Sequence, residues 1–174
     1  GDSISGDSAP FYEAFPWTNG SIFGLGDFPQ GGGFASVASD ASANGVIVGS
    51  GPGQVHHQAF RWTSAGGFIP LGDLPGGVVR SVASGVSSDG LVIVGSSSST
   101  GSGNTNDEAF RWTAATGLVG LGDLDGGAIS SSAVSVSSDG SGIAGNSGPV
   151  IGRQGFRWTA GGGMVGLGDL FGRE

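Results

Sequence analysis

Small, apolar and polar positions alternate over short stretches of this chain and are interrupted at regular places by turn-forming pairs. Ser81 to Ser88 alternates small and apolar residues before Asp89-Gly90 breaks the pattern. Asn44-Gly45 and Asp139-Gly140 hold the same place in neighbouring stretches. Such a pair between apolar runs predicts a two-residue hairpin loop, whose central residues both need positive φ. Leu91-Val92-Ile93-Val94-Gly95 follows as a continuous apolar run, the pattern of a strand covered on both faces. A polar loop, Ala109 to Thr113, a Gly-containing turn and Leu118 to Leu124 complete the stretch. Apolar residues nowhere recur at helical spacing over three turns, so the pattern predicts four strands per stretch and essentially no helix.

The stretch is a repeat. Phe60-Arg61-Trp62-Thr63 returns as Phe110-Arg111-Trp112-Thr113 and Phe156-Arg157-Trp158-Thr159, and once altered as Phe15-Pro16-Trp17-Thr18. The tryptophans at 17, 62, 112 and 158 lie 45, 50 and 46 residues apart, and the Leu-Gly-Asp aspartates at 27, 73, 123 and 169 lie 46, 50 and 46 apart. Four strands in such a period match the size of a β-propeller blade, roughly 40–50 residues. One blade cannot bury both faces alone, so each needs neighbours. Trp17, Trp62, Trp112 and Trp158 are accordingly read as structural residues filling the wedge between adjacent sheets. The expected fold is an all-β, β-propeller-like repeat domain over residues 1–174. It has a partial blade at 1–28 lacking its inner strand, and complete blades at about 34–74, 80–124 and 130–170.

Composition narrows the function classes. The chain has 174 residues with 39 Gly and no Cys, and 6 basic residues, all Arg, face 14 acidic ones for a formal charge of −8. An acidic chain without basic clusters argues against nucleic acid and anionic membranes as partners. No disulfide framework or Cys-ligated zinc can form. No apolar run approaches the ~20 residues that cross a bilayer as a helix.

The unit Ala-Phe-Arg-Trp-Thr, Gly-rich turn, Leu-Gly-Asp-Leu-Pro-Gly-Gly, Ser-x-Ala, Ser-Ser-Asp-Gly, Val-Ile-Val-Gly resembles the HAF repeats of bacterial extracellular proteins, over nearly the whole chain. It departs from them at the naming triplet, where Glu13, Gln58, Glu108 and Gln154 stand in place of histidine. The resemblance implies secretion or surface display and a propeller-like fold, and implies no particular chemistry. The cadence is also similar to that of WD40 blades.

An incomplete first blade has two explanations: the residues belong to a longer repeat protein, or a second copy closes the assembly as a ring of two chains or a head-to-tail array. An uncovered sheet edge invites pairing with another chain. In sequence, Ile4-Ser5-Gly6 aligns with Ile47-Val48-Gly49, and most length variation falls between the second and third strands of each blade. Variable loops on a rigid scaffold carry binding. The candidate ligand-binding residues there, or on the neighbouring blade connection, are His56, His57, Arg80, Asn104, Asn106, Asp107, Arg153 and Gln154. Asp27, Asp73, Asp123 and Asp169 allow three readings: a calcium site, backbone capping of the Gly-rich turn, or pairing with Arg61, Arg111 and Arg157. Capping is favoured, since that need recurs in each repeat. His56-His57 lacks the further ligands that a metal site needs, so no metal and no cofactor are expected.

The function expected is that of a non-enzymatic extracellular or cell-surface module in scaffolding, adhesion or self-assembly, with a second copy as partner. The alternative is a lectin-like propeller binding glycans through its repeated Trp, Asp and Arg. Catalysis needs an asymmetric constellation of tuned groups, and here many of the polar residues are copied from blade to blade while the unique ones lie scattered in loops.

Overall fold

The computed structural model describes residues 2–4, 12–18, 20–26, 36–53, 56–102, 107–124, 128–148 and 152–168, and every regular element among them is a strand. Two short antiparallel pairs come first, β1 (Asp2–Ile4) with β2 (Tyr12–Ala14) and β3 (Trp17–Thr18) with β4 (Ser21–Ile22). Three four-stranded antiparallel meanders follow. The first is β5 (Val37–Ala41), β6 (Ile47–Pro52), β7 (His57–Thr63) and β8 (Gly67–Gly72). The second is β9 (Ser81–Val86), β10 (Ile93–Ser97), β11 (Glu108–Thr113) and β12 (Gly117–Gly120). The third is β13 (Ser131–Val136), β14 (Gly142–Ser147), β15 (Gln154–Thr159) and β16 (Gly163–Gly166).

The sheets stack face to face, with β9 packed on β5, β6 and β7, and β13 on β9, β10 and β11. Alternation along each strand sends one set of side chains to the preceding sheet and the other to the following one. At the junction of the first and second sheets, Val46, Val48, Ala59, Leu71 and Leu74 meet Ala83, Val86, Ile93 and Phe110, with Trp112 and Leu118 packed alongside. The next junction repeats this position by position. Val92, Val94 and Ala109, with Leu121 and Leu124, meet Ala133, Ile143 and Phe156, with Val136, Trp158 and Met164. The first repeat uses the same rule, Ala14 and Leu25 meeting Ile47, Phe60 and Trp62.

A serine stitches each junction. Ser36, Ser81 and Ser131, all buried, stand just before or at the start of the inner strands. Their hydroxyls accept the amides of Ala14, Ala59 and Ala109 in the preceding repeat, at 3.1, 2.9 and 2.9 Å. Ser81 and Ser131 also donate to the carbonyls of Gly72 and Gly122. Main-chain groups buried between sheets are thereby satisfied by the next repeat.

Each inner strand carries a bulge, with register shifts between Ala38 and Asp40, opposite Val94 and Gly95, and between Ala133 and Ser135. The facing glycine is obligatory, since a Cβ on Gly49, Gly95 or Gly145 would fall on the carbonyl oxygen of Val37, Val82 or Ser132.

Two expectations are revised. The Asn/Asp-Gly hairpins are not two-residue loops. Gly90 donates to the Ser87 carbonyl (2.9 Å) and Ser87 to that of Val92 (2.9 Å), so four residues lie inside the loop, with Gly90 at φ 70°. The Asp89 carboxylate accepts the Ser87 hydroxyl and the Leu91 amide, which secures this longer turn. The first repeat is also registered differently. Asp2 pairs with Ala14 as Ser50 pairs with Ala59, so β1 begins five residues ahead of the alignment of Ile4-Ser5-Gly6 with Ile47-Val48-Gly49.

Candidate functional site

The repeat rule identifies which apolar surface lacks its partner. Trp62, Trp112 and Trp158 pair across their hairpins with Phe68, Leu118 and Met164, and all six pack at the junction with the preceding repeat. Trp62 is 8% exposed and its indole donates to the Leu25 carbonyl at 3.0 Å. Trp17 pairs with Ile22 in the same register, yet they are 69% and 60% exposed. Phe15 is half-buried where Phe60, Phe110 and Phe156 are sealed. No four-stranded sheet precedes them among the described residues. The structure therefore packs Trp62, Trp112 and Trp158 between sheets and leaves Trp17 exposed, because burial of this position comes from the neighbouring sheet and not from its own.

A groove of about 620 Å³ opens beside this surface, lined in part by Phe15, Pro16, Trp17, Phe23, Asp40 and Trp62. Its counterpart between the second and third sheets, about 470 Å³, has Arg111 and Asp139 beside Trp158. Pro16 stands where Arg61 and Arg111 stand in later repeats, so the first groove is the more apolar.

The far face of the third sheet is the complementary end. Leu167 follows the pattern of Leu25, Leu71 and Leu121 but is 67% exposed, and Ala144 is exposed where Val48 and Val94 are buried. Arg157, Gly142 and Ala144 line a depression of about 220 Å³ there, together with Ile143 and the end of β13. Gly142 takes the place of Val46 and Val92, which removes the side chain from that spot. Gly155 takes the place of Ala59 and Ala109, and no serine meets its amide among the described residues.

The loop candidates fare unevenly. His56, His57 and Arg153 are exposed, and Gln154 is partly covered at the start of β15. Asn104 and Asn106 lie outside the described residues. Arg80 and Asp107 form an ion pair with each other, and the Arg80 carbonyl accepts the Ser98 amide at 3.0 Å. The contacts thus tie residues 98 and 107 to the blade connection that carries Arg80. The sequence places binding candidates in this region, whereas Ser98, Ser99 and Ser102 beside them are buried. Thr100 donates to the Pro75 carbonyl and Gly101 accepts the Ile129 amide, so the segment straps two blade connections together.

The aspartates are also revised. Asp27 and Asp169 lie outside the described residues. Among the described residues, Asp73 and Asp123 cap no backbone amide and meet no arginine, and no cluster of three His, Asp or Glu able to hold a metal occurs. Burial pushes the Asp73 carboxyl above its ordinary value. The capping is done instead by Glu13 and Glu108, whose carboxylates accept the amides of Gly26 and Gly122 at 2.8 and 3.1 Å. Ser97 and Ser147 accept those of Leu74 and Leu124. The acidic residues two places before Phe15 and Phe110 carry this signal in the sequence, while Gln58 and Gln154 stand there in the other two repeats.

No family model and no curated protein matches the chain. Among solved structures, the crystal structure of TolB from Acinetobacter baumannii, a β-propeller, superimposes with a TM-score of 0.62 at 14% identity. The match covers 95% of this chain and 39% of that one, so the chain spans well under half the length of TolB. At this identity the likeness is one of fold: an all-β, propeller-like stack of four-stranded sheets.

Proposed function

We propose that the chain is a non-enzymatic, extracellular or cell-surface repeat module of the HAF type that acts by self-assembly. The observation that carries this reading is the exposure of Trp17 and Ile22 at positions whose counterparts are packed in three successive junctions. Exposed apolar surface of this kind marks an interaction site. Extracellular placement rests on the repeat resemblance and on the acidic, Lys-free composition. Light scattering across a concentration series tests the assembly: growth of mass with concentration supports it, and a monomer throughout rejects it.

The aromatic groove favours a second reading, glycan binding. Phe15, Trp17, Phe23 and Trp62 offer ring faces with Asp40 close by, a combination suited to sugar stacking. A glycan array with competition by free sugar separates the two readings.

A further inference from the structure

We infer that the chain assembles head to tail, the Trp17–Ile22 surface of one copy seating on the outer face of the third sheet of a second copy. This rests on the self-assembly reading above and names its two surfaces.

Both halves are drawn from junctions the chain already makes. Within the molecule, the Trp–apolar pairs of the second and third sheets meet a sheet face that presents Leu, a small residue and Val, namely Leu71, Ala59 and Val48 or Leu121, Ala109 and Val94. The third sheet presents Leu167, Gly155 and Ala144 in the same register. Leu167 donates to the Gly155 carbonyl as Leu121 does to Ala109 and Leu25 to Ala14. The backbone frame of the face is therefore already in place.

The fit goes further at the indole. Arg111 and Trp158 line one cleft between the second and third sheets. On the outer face, Arg157 holds the position of Arg111 and lines the 220 Å³ depression with Gly142 and Ala144. A second copy's Trp17 in that depression would lie by Arg157 as Trp158 lies by Arg111. A guanidinium over an indole face is an attractive pairing. Small residues at 142 and 144 leave room for a ring delivered by β3 and β4 alone. The two surfaces differ, so the contact is heterologous and propagates unless it closes into a ring.

Trp17→Arg and Ala144→Arg test the pairing, since both residues are exposed and thermal unfolding of each variant should match the parent. Each variant alone is expected to remain monomeric where the parent assembles. An equimolar mixture is expected to form a one-to-one complex and nothing larger, because each variant keeps one sound surface. Trp17→Phe, which retains a ring, is expected to assemble while losing the concentration-dependent blue shift of the parent's fluorescence. An Ala144→Arg variant that assembles like the parent overturns the head-to-tail pairing and leaves self-assembly standing. So does a mixture that stays monomeric after each single variant has lost assembly. A parent that is monomeric at every concentration overturns both.

Discussion

Trp17 and Trp62 hold the same register position in successive repeats, opposite Ile22 and Phe68, yet one is 69% exposed and the other 8%. The same tryptophan position thus shows opposite burial, decided by whether a sheet lies in front. Stability should follow the same division. Trp17→Ala is expected to change unfolding free energy by less than about 0.5 kcal/mol, as at other surface sites. Phe110→Ala, at a sealed junction position, should cost about 3–5 kcal/mol. Denaturant melts of the two variants check the contrast.

Ser131→Ala removes the acceptor of the buried Ala109 amide and a donor to the Gly122 carbonyl. A loss of about 1–3 kcal/mol is expected, from leaving a buried amide unsatisfied. Ser132→Ala, one residue on, is the control and should be near neutral.

Gly95→Ala places a methyl on the Val82 carbonyl and against Phe110. The cost expected is at least about 1–3 kcal/mol, the range for overpacking, since backbone must move. Gly161→Ala, in open space at an exposed turn, should be tolerated. Thermal unfolding of the pair measures the difference.

Hydrogen bonds from Ser137 and Ser141 hold the Asp139 carboxyl well below its ordinary 3.8, at about 2. A depressed carboxylate adds stability above its unfolded value, and that contribution is lost as pH falls from about 4 toward 2. Melting temperature should therefore drop across that window. Asp139→Asn should flatten the drop, because the Asn44 side-chain oxygen already accepts the Ser42 hydroxyl in the equivalent turn without titrating.

Each copy carries a formal charge of −8 while the inferred contact is apolar, so copies repel at long range and attract at contact. Added salt shortens the reach of that repulsion. Assembly followed by light scattering should strengthen between low and physiological ionic strength. Weakening with salt would indicate an ion-paired contact instead.

The sheets were legible because their landmarks are periodic: Phe-x-Trp on the third strand and Leu-Gly-Asp at or just past the end of the fourth recur at nearly constant steps. The serine stitches were not legible. Ser81 sits among many serines, and only the packed structure shows that its hydroxyl reaches the Ala59 amide. Arg80 and Asp107 read as free loop charges because their pairing spans a 27-residue separation, which no local pattern reveals. The register of the first repeat was misread because Ile4-Ser5-Gly6 repeats the letters of the second strand five residues away from the pairing that forms.

The serine stitch puts the repeated sequence and the cooperative unit out of phase. Ser131 is covalently part of the third sheet, while its hydroxyl completes the main chain of the second. Removing the last sheet would therefore also strip a hydrogen bond and the cover of Val92 and Val94 from the one before it. Shortening this protein by one period should weaken more than the period removed, and a boundary that respects its energetics runs between faces instead of between repeats.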